Sequence, residues 1–211
     1  MEADRVVLLL LLCCGAALAN FDELDESRPA LDCNRHDSSP NSCQNFARFC
    51  INMINDQIRK NLNASYTYDA MAKYFQRDDV AYRGFGKYFS HLAEEQREQS
   101  QQFMGYLLKR GGRLRLKKIH DPKLEWKTPL EALEDALRLE HDVNDALLDI
   151  HWVASEKNDP HLTNFLEGNM MNELVDRIYQ ISQHTTLMKR LDEPSHIGWH
   201  FFDQDLYTGT R

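Results

Sequence analysis

Residues 110–131, RGGRLRLKKIHDPKLEWKTPLE, join two long helical patterns but have no helical period of their own. Within them, Leu114, Leu116 and Ile119 alternate with basic residues, which indicates an extended segment. A connection over 113–127 is much longer than the few residues that join antiparallel neighbours in a helical bundle. This stretch therefore predicts a crossover that links two parallel helices.

Four long helical patterns and a short one accompany this connection. Thr128-Pro129-Leu130-Glu131 is a capping box with proline at the first helical position, so a helix starts there. Gly111 follows the preceding pattern, where glycine supplies a left-handed C-cap. Asp78 or Asp79 is the expected N-cap of the second helix. The predicted bounds of the five helices are 44–76, 78–110, 128–157, 159–191 and 198–205. We predict an all-α four-helix bundle with a long crossover between helices 2 and 3 and a short fifth helix.

Residues 1–19 have the layout of a cleavable signal peptide, with an apolar run over 6–12 and an Ala-Leu-Ala end. The alternative is a membrane anchor, but a span needs about 20 apolar residues. Residues 20–44 contain prolines and no helical period, so they predict an N-terminal arm before a helical domain at 45–211. We expect a secreted protein with no membrane contact after cleavage.

The overall charge is acidic, with a formal net charge of −8 and no basic stripe along the chain. Nucleic-acid-binding proteins carry a basic patch that pairs with phosphates. The composition therefore argues against a nucleic-acid partner and is compatible with a surface that attracts cations.

After removal of the signal peptide the chain keeps an odd set of cysteines, Cys33, Cys43 and Cys50. In an oxidising compartment an unpaired cysteine suggests a bond to another chain. In one interpretation, two of them pair internally and the third bridges to a partner subunit. In the other, there is one internal disulfide and a free, buried thiol. The sequence leaves both open.

A set of short segments carries a family resemblance: ASYTY at 64–68, RDDVA at 77–81, GKYF at 86–89, RGGR at 110–113, LEH at 139–141, NDPHL at 158–162 and NE at 172–173. Over 54–208 the chain resembles the ferritins, specifically the secretory-pathway ferritins of arthropods. The resemblance implies a ferritin-like bundle and copies of this chain in a twenty-four-subunit shell. It also implies iron as cargo, taken up as Fe2+ and stored as a Fe3+ mineral, and two subunit types in one shell.

The resemblance further implies where a di-iron ferroxidase centre should lie. Such a centre needs carboxylates from several helices and a Glu-x-x-His pair on one helix face. The family pattern has Glu, Tyr, Glu, Glu, His, Glu and Gln where this chain has Asn61, Tyr68, Glu95, Gln96, Gln99, Glu140 and Leu174. Only Tyr68, Glu95 and Glu140 match. Because amides replace anions and an imidazole, a hard iron cation loses most of its ligands, and we expect no ferroxidase centre.

Glu140 falls in the apolar stripe of the third helix, so its carboxylate must be paired. It is either a relic of the centre, held by Tyr68, Gln96 or Gln99, or a residual ligand of a single metal ion. A hydrogen-bonded network suffices to compensate a buried charge, so the relic is the favoured interpretation.

Another acidic group, Glu94, Glu95 and Glu98, lies on adjoining parts of one face of the second helix, with His91 one turn earlier. In ferritin light chains, which this stretch resembles, carboxylates at these positions face the cavity and seed the mineral. The alternative is an ordinary solvated acidic face. Carboxylates without a closed cage suit weak binding of hydrated hard cations, so we predict iron contacts at all three.

Glu167, near the start of the fourth helix, matches a carboxylate of the family's three-fold ion channel. Its usual acidic companion is Asn164 here, which weakens the attraction for cations. The remaining histidines show no spacing typical of metal ligands: His120, His151, His161, His184, His196 and His200. We therefore predict a metal contact at Glu167 and none at these histidines.

These observations predict an iron-storage shell subunit of the light type that binds ferric iron and supports mineral nucleation. A heavy-type partner subunit would supply ferroxidase activity, and this chain would not be an enzyme. The alternatives are a self-sufficient ferroxidase subunit and an extracellular iron carrier. If substitution removed the centre, oxidation should return on reversal of four changes, by Asn61→Glu, Gln96→Glu, Gln99→His and Leu174→Gln.

Overall fold

The computed structural model describes residues 40–191 and 197–209, which belong to one compact unit. All regular structure in these two ranges is helical, which confirms the all-α prediction. The helices are α1 Arg48–Phe75, α2 Arg83–Lys109, α3 Pro129–Glu156, α4 Pro160–Phe165, a π-helical segment Leu166–Met171, α5 Asn172–Arg190 and α6 Ile197–Thr208. None of them is both long and apolar enough to cross a bilayer. The predicted signal peptide and residues 20–39 of the predicted arm lie outside the described residues.

The fourth long helix of the bundle is composite. It was predicted as one helix over 159–191, and the structure divides it into α4, the π-helical segment and α5. The wider π turn interrupts the regular helical spacing in the middle of this helix. The bundle itself, with a short final helix, is as predicted.

The crossover between α2 and α3 is also present as predicted. It carries neither helix nor strand and is fastened to α1 by asparagine side chains. Asn55 Nδ2 donates to the carbonyl of Arg113 at 3.1 Å, and Asn55 Oδ1 accepts the N–H of Arg115 at 2.6 Å. Farther along, Asn63 Oδ1 accepts the N–H of His120 at 2.8 Å. These bonds satisfy backbone groups that an extended segment otherwise leaves unpaired.

Two predicted helix ends are confirmed in detail. Thr128 Oγ1 accepts the N–H of Glu131 at 3.1 Å at the start of α3. At the end of α2, Gly111 takes a φ of 77°, and the N–H of Gly112 donates to the carbonyl of Leu107 at 2.8 Å. Both caps rest on local chemistry, which explains why the sequence alone predicts them.

The start of α2 differs from the prediction. The helix begins at Arg83, not after Asp78 or Asp79. Asp79 forms an ion pair with Arg77 inside the preceding turn and caps nothing. The first turn of α2 is capped by Asp203 of α6, whose Oδ1 accepts the N–H of Phe85 at 3.0 Å. A residue far along the chain thus takes the role expected of a local aspartate.

The core consists of two hydrophobic clusters separated by a polar layer. Along each long helix, residues of one cluster give way to buried polar side chains and then to residues of the other cluster. The second cluster is rich in aromatic rings, including Phe75 and Phe89, whose centroids lie 5.7 Å apart. The polar layer contains Asn61, Gln96, Gln99, Glu140 and Arg177, each at most 5% exposed. Buried polar groups need partners, so this layer is the natural place to look for a site.

Candidate metal centre

The polar layer brings together most of the residues that the family resemblance assigns to a ferroxidase centre. α1 contributes Asn61 and Tyr68, α2 contributes Gln96 and Gln99, and α3 contributes Glu140, all buried. Glu95 lies at the edge of the layer with 37% of its side chain exposed. Leu174 of α5 packs in the first hydrophobic cluster.

Glu140 sits at the middle of the layer with no exposed surface. Its Oε1 accepts the Tyr68 hydroxyl at 2.6 Å, and both of its oxygens lie 3.0 Å from Nε2 of Gln96. Its Oε2 also accepts Nε–H of Arg177 at 2.9 Å. Two of the expected partners, Tyr68 and Gln96, therefore hold Glu140. Gln99, the other expected partner, binds elsewhere in the layer.

Arg177 is the residue that sequence reasoning missed. Its side chain is 4% exposed, and each guanidinium nitrogen meets one oxygen acceptor. Nε donates to Glu140, Nη1 lies 3.4 Å from Glu95 Oε2, and Nη2 donates to Gln99 Oε1 at 3.2 Å. A signal was available, because Leu174, Arg177 and Ile181 follow helical spacing and so share the buried face of α5. A charged residue in that stripe needs a buried partner.

The charges in this layer reinforce one another. Burial and the adjacent Glu140 carboxylate raise the pKa of Tyr68 well above its usual range, so the phenol stays neutral and donates. For Arg177, burial alone lowers the pKa, but the charge and hydrogen bond of Glu140 outweigh it and the pKa is raised. The layer therefore contains a permanent cation between two carboxylates, those of Glu140 and Glu95.

The amides of the layer form a chain of hydrogen bonds across the bundle. Gln57 Nε2 donates to Asn61 Oδ1 at 2.7 Å, and Asn61 Nδ2 donates to Gln99 Oε1 at 3.2 Å. Gln99 Nε2 donates to Glu173 Oε2 at 3.0 Å. Gln57 and Glu173 were not predicted to take part. Side chains thus use most of the hydrogen-bonding capacity that metal ligands would need.

A di-iron centre does not fit this arrangement. Such a centre needs several carboxylates and an imidazole around two cations, whereas this layer offers one fully buried carboxylate, two at its edge (Glu95 and Glu173), amides and a guanidinium. Among the described residues, no group of three or more His, Cys, Asp or Glu side chains is placed to hold a metal ion. The positive charge of Arg177 lies between the carboxylates of Glu140 and Glu95, where it repels an incoming cation.

The acidic face of α2, Glu94, Glu95 and Glu98, is spread out and accessible. Glu94 is 56% exposed and pairs with Arg97 at 2.7 Å, while Glu95 Oε1 lies 3.2 Å from His91 Nε2. Glu98 is exposed. The face offers separate surface carboxylates, which agrees with weak contacts to hydrated cations. That they contact iron stays a prediction.

Glu167 lies in the π-helical segment and is 60% exposed. Its Oε1 is 2.6 Å from Nε2 of His151, a histidine for which the sequence suggested no metal role. Asn164 is exposed nearby in α4. One carboxylate paired with one imidazole is an incomplete cation site, and the metal contact predicted at Glu167 stays a prediction.

The cysteines are only partly described. Cys50 is free and fully buried, and burial, with the nearby Asp159 charge, raises its pKa to about 11. Cys43 is not a free thiol, and Cys33 lies outside the described residues. Among the described residues Cys50 is thus a buried thiol, and the pairing of the three cysteines stays a prediction. A bridge to another subunit stays a prediction.

Comparison with known proteins agrees with the fold. The ferritin-like domain family matches residues 51–191. The chain is 45% identical over 150 residues to the middle subunit of ferritin from Salmo salar, covering 71% of this chain and 85% of that one. It is 42% identical over 149 residues to the lower subunit of ferritin from Aquarana catesbeiana, covering 70% and 86%. On this evidence the chain belongs to the ferritin family.

Proposed function

We propose that this chain is an iron-storage ferritin subunit of the light type, which builds the shell and seeds the mineral but does not oxidise Fe(II) itself. One observation carries the proposal. The carboxylate of Glu140, fully buried at the bundle centre, is engaged by Tyr68, Gln96 and Arg177. Donors from the protein occupy the oxygens that a ferroxidase centre would use.

Ligand number and charge support the same conclusion. Iron binding would require Glu140 to give up its bonds to Arg177 and to the Tyr68 hydroxyl. The incoming Fe2+ would also meet the fixed positive charge of Arg177 at short range, where repulsion in a buried site is strong. Neutral amides at Gln96 and Gln99 supply too little negative charge to offset it.

The acidic face of α2 is the proposed site of mineral nucleation. Glu94, Glu95 and Glu98 are accessible or partly accessible and are not enclosed in a ligand cage. Open carboxylates bind hydrated hard cations weakly and allow a growing mineral to replace the water. Glu167 is the proposed entry-side contact, weakened by the neutral Asn164 nearby.

A subunit of this kind needs a partner. We propose that it assembles with a heavy-type subunit, which carries the ferroxidase centre, in a twenty-four-subunit shell made in the secretory pathway. The signal-peptide pattern of residues 1–19 and the cysteines of the arm support this location. Finding loaded shells in extracellular fluid, and not in secretory vesicles, would favour the alternative role of iron carrier.

The decisive experiment is Fe(II) oxidation by shells of this chain alone, followed by stopped-flow absorbance and oxygen consumption. We expect the rate of iron in buffer, without saturation. Mixed shells that contain a ferroxidase-competent ferritin subunit should oxidise iron in proportion to that subunit. Rapid, saturable oxidation by the isolated chain would instead establish a self-sufficient ferroxidase.

The nucleation role has its own test in mixed shells. Changing Glu94, Glu95 and Glu98 to Gln should leave the shell assembled but slow core growth after oxidation. A matched control changes three exposed aspartates of α3, Asp142, Asp145 and Asp149, to Asn, which alters the net charge equally. Equal core growth in both variants would rule out a specific role for the α2 face.

A further inference from the structure

We infer that Arg177 is the resident cation of the bundle centre, and that removing its guanidinium opens a site for one divalent cation among Glu140, Glu95 and Gln99. This inference rests on the proposed function, in which the bundle holds no iron. It assigns the exclusion of metal to one residue of α5, and not only to the amides of α1 and α2.

The geometry around the guanidinium is that of a small oxygen cage. Three nitrogens of Arg177 face three oxygens: Glu140 Oε2 at 2.9 Å, Glu95 Oε2 at 3.4 Å and Gln99 Oε1 at 3.2 Å. These oxygens come from α2 and α3, and the guanidinium comes from α5. Carboxylate and amide oxygens are the ligands that hard divalent cations prefer.

The charges around Arg177 explain why a divalent cation would take the place of its guanidinium. With Arg177 removed, Glu140 and Glu95 remain as two carboxylates that face the same vacated space. Glu140 has no contact with solvent, so its charge needs compensation from a proton or a cation. A divalent cation matches the two negative charges and the space left by the guanidinium, and Glu95 provides a route to it from the surface.

The test uses the full chain as assembled shells and Mn2+ as the probe, because Mn2+ prefers oxygen ligands. Binding is followed by electron paramagnetic resonance of free and bound Mn2+. Arg177→Ala should bind one additional Mn2+ per subunit beyond the wild type. Arg177→Lys, which keeps a cation, should bind as the wild type does. Adding Glu140→Gln to Arg177→Ala should abolish the additional site.

Surface carboxylates also bind Mn2+, so a matched control is needed. Arg97→Ala removes another arginine that contacts an α2 carboxylate, but one whose side chain is 39% exposed. It should leave the number of tight Mn2+ sites unchanged. An additional site in Arg97→Ala, or its persistence in the double variant with Glu140→Gln, would contradict the inference.

Folding of the alanine variant is monitored by melting with and without Mn2+. A rise in melting temperature with Mn2+ that the wild type does not show supports the inference, because a ligand bound only by the folded state stabilises it. If Arg177→Ala does not fold, Arg177→Gln is used for the same measurement, because the glutamine side chain keeps most of the volume of arginine without its charge. A folded variant without an additional site would overturn the inference. Fe(II) oxidation by the wild-type shell, which tests the proposed function, is independent of this result.

The inference also bears on the four reversals that the sequence suggests. Asn61→Glu, Gln96→Glu, Gln99→His and Leu174→Gln restore ligands but leave the guanidinium between them. We expect oxidation to return only when Arg177→Ala is added as a fifth change. Full activity in the four-change variant would contradict this role of Arg177.

Discussion

Two buried arginines each pair with a buried carboxylate in this subunit, yet their surroundings differ. Arg110 and Asp159 join the end of α2 to the start of α4, and Arg177 and Glu140 lie at the bundle centre. Both arginines are 5% exposed, and both carboxylates are at most 1% exposed. Burial alone therefore does not distinguish them.

The hydrogen-bond partners of the two arginines do distinguish the two ion pairs. Arg110 binds both oxygens of Asp159, at 3.1 and 2.9 Å, and its Nη2 also donates to the backbone carbonyls of Gln44 and Asn45. Asp159 in turn accepts the N–H of Leu162 as the N-cap of α4. At this end the ion pair holds backbone segments together. At the centre, the hydrogen bonds of Arg177 within the described part of the chain all go to side chains.

This contrast explains why only the central pair is proposed to stand in for a metal ion. A divalent cation can replace a guanidinium where two carboxylates converge on it, as those of Glu140 and Glu95 do on Arg177. It cannot replace Arg110, which positions two chain segments through its forked shape. The two pairs should therefore respond differently to the same kind of substitution.

The largest expected effect is at the helix ends. Arg110→Ala leaves Asp159 buried without its partner, which should cost about 3–5 kcal/mol per subunit. Asp159 is the one carboxylate that Arg110 binds among the described residues, whereas Arg177 binds two, so Mn2+ should restore none of this loss. Thermal and denaturant unfolding of assembled shells, with and without Mn2+, measures both quantities. If Mn2+ raised the stability of Arg110→Ala, the two ion pairs would not differ in the way proposed here.

The next effect concerns the central pair without metal. Glu140→Leu or Arg177→Met alone leaves one buried charge and should cost about 3–5 kcal/mol. The double variant should lie within about 1–2 kcal/mol of the wild type, since replacing both partners removes the uncompensated charge. Denaturant unfolding of the three variants completes the cycle. Additive losses would show that the two residues act separately.

A smaller effect is expected at the cap of α2. Asp203→Ala removes the acceptor for the N–H of Phe85 and a negative charge at a helix N-terminus, which should cost about 1–2 kcal/mol. The measurement is the midpoint of denaturant unfolding. Asp79→Ala is the matched control, because Asp79 caps no helix, and it should change stability by less.

The pKa of Asp203 also predicts how the stability of the protein changes with pH. Burial raises its pKa, although the N–H groups of Phe85 and Gly84 lower it in part. The folded protein therefore holds this proton to higher pH than the unfolded chain, so the contribution of the carboxyl falls as pH rises from 3.8 through the folded pKa. Relative to Asp203→Asn, wild-type stability should decline over that range. An increase would contradict this sign.

The smallest effect concerns the chemical reactivity of one thiol. Cys50 lies near the Arg110–Asp159 pair, and its raised pKa, about 11, leaves little thiolate at pH 8. Iodoacetamide should not modify it in native wild-type shells, and peptide mass spectrometry reports the result. Arg110→Ala should expose it to reagent, whereas Arg177→Ala should not. Equal labelling in both variants would mean that the two pairs are not independent.

Much of this protein follows from the order of its residues alone. Three features depend on local backbone chemistry, so a short stretch of sequence is enough to predict each of them. They are the crossover, the capping box at Thr128 and the left-handed glycine Gly111. The family resemblance implies that Asn61, Gln96 and Gln99 replace the expected ligands of the centre. These features predict the bundle and the loss of the expected ligands.

The tertiary structure determines the contacts between residues that are far apart in the sequence. Asp203 caps α2 from the last helix, and Arg177 of α5 meets Glu140 of α3, so each role depends on packing between segments distant in the sequence. Helical spacing is consistent with a buried position for Arg177, which the sequence analysis missed, and only the assembled bundle shows which oxygens surround it. The sequence indicates which side chains must be buried, whereas the partners that compensate their charges are determined by how the four helices come together.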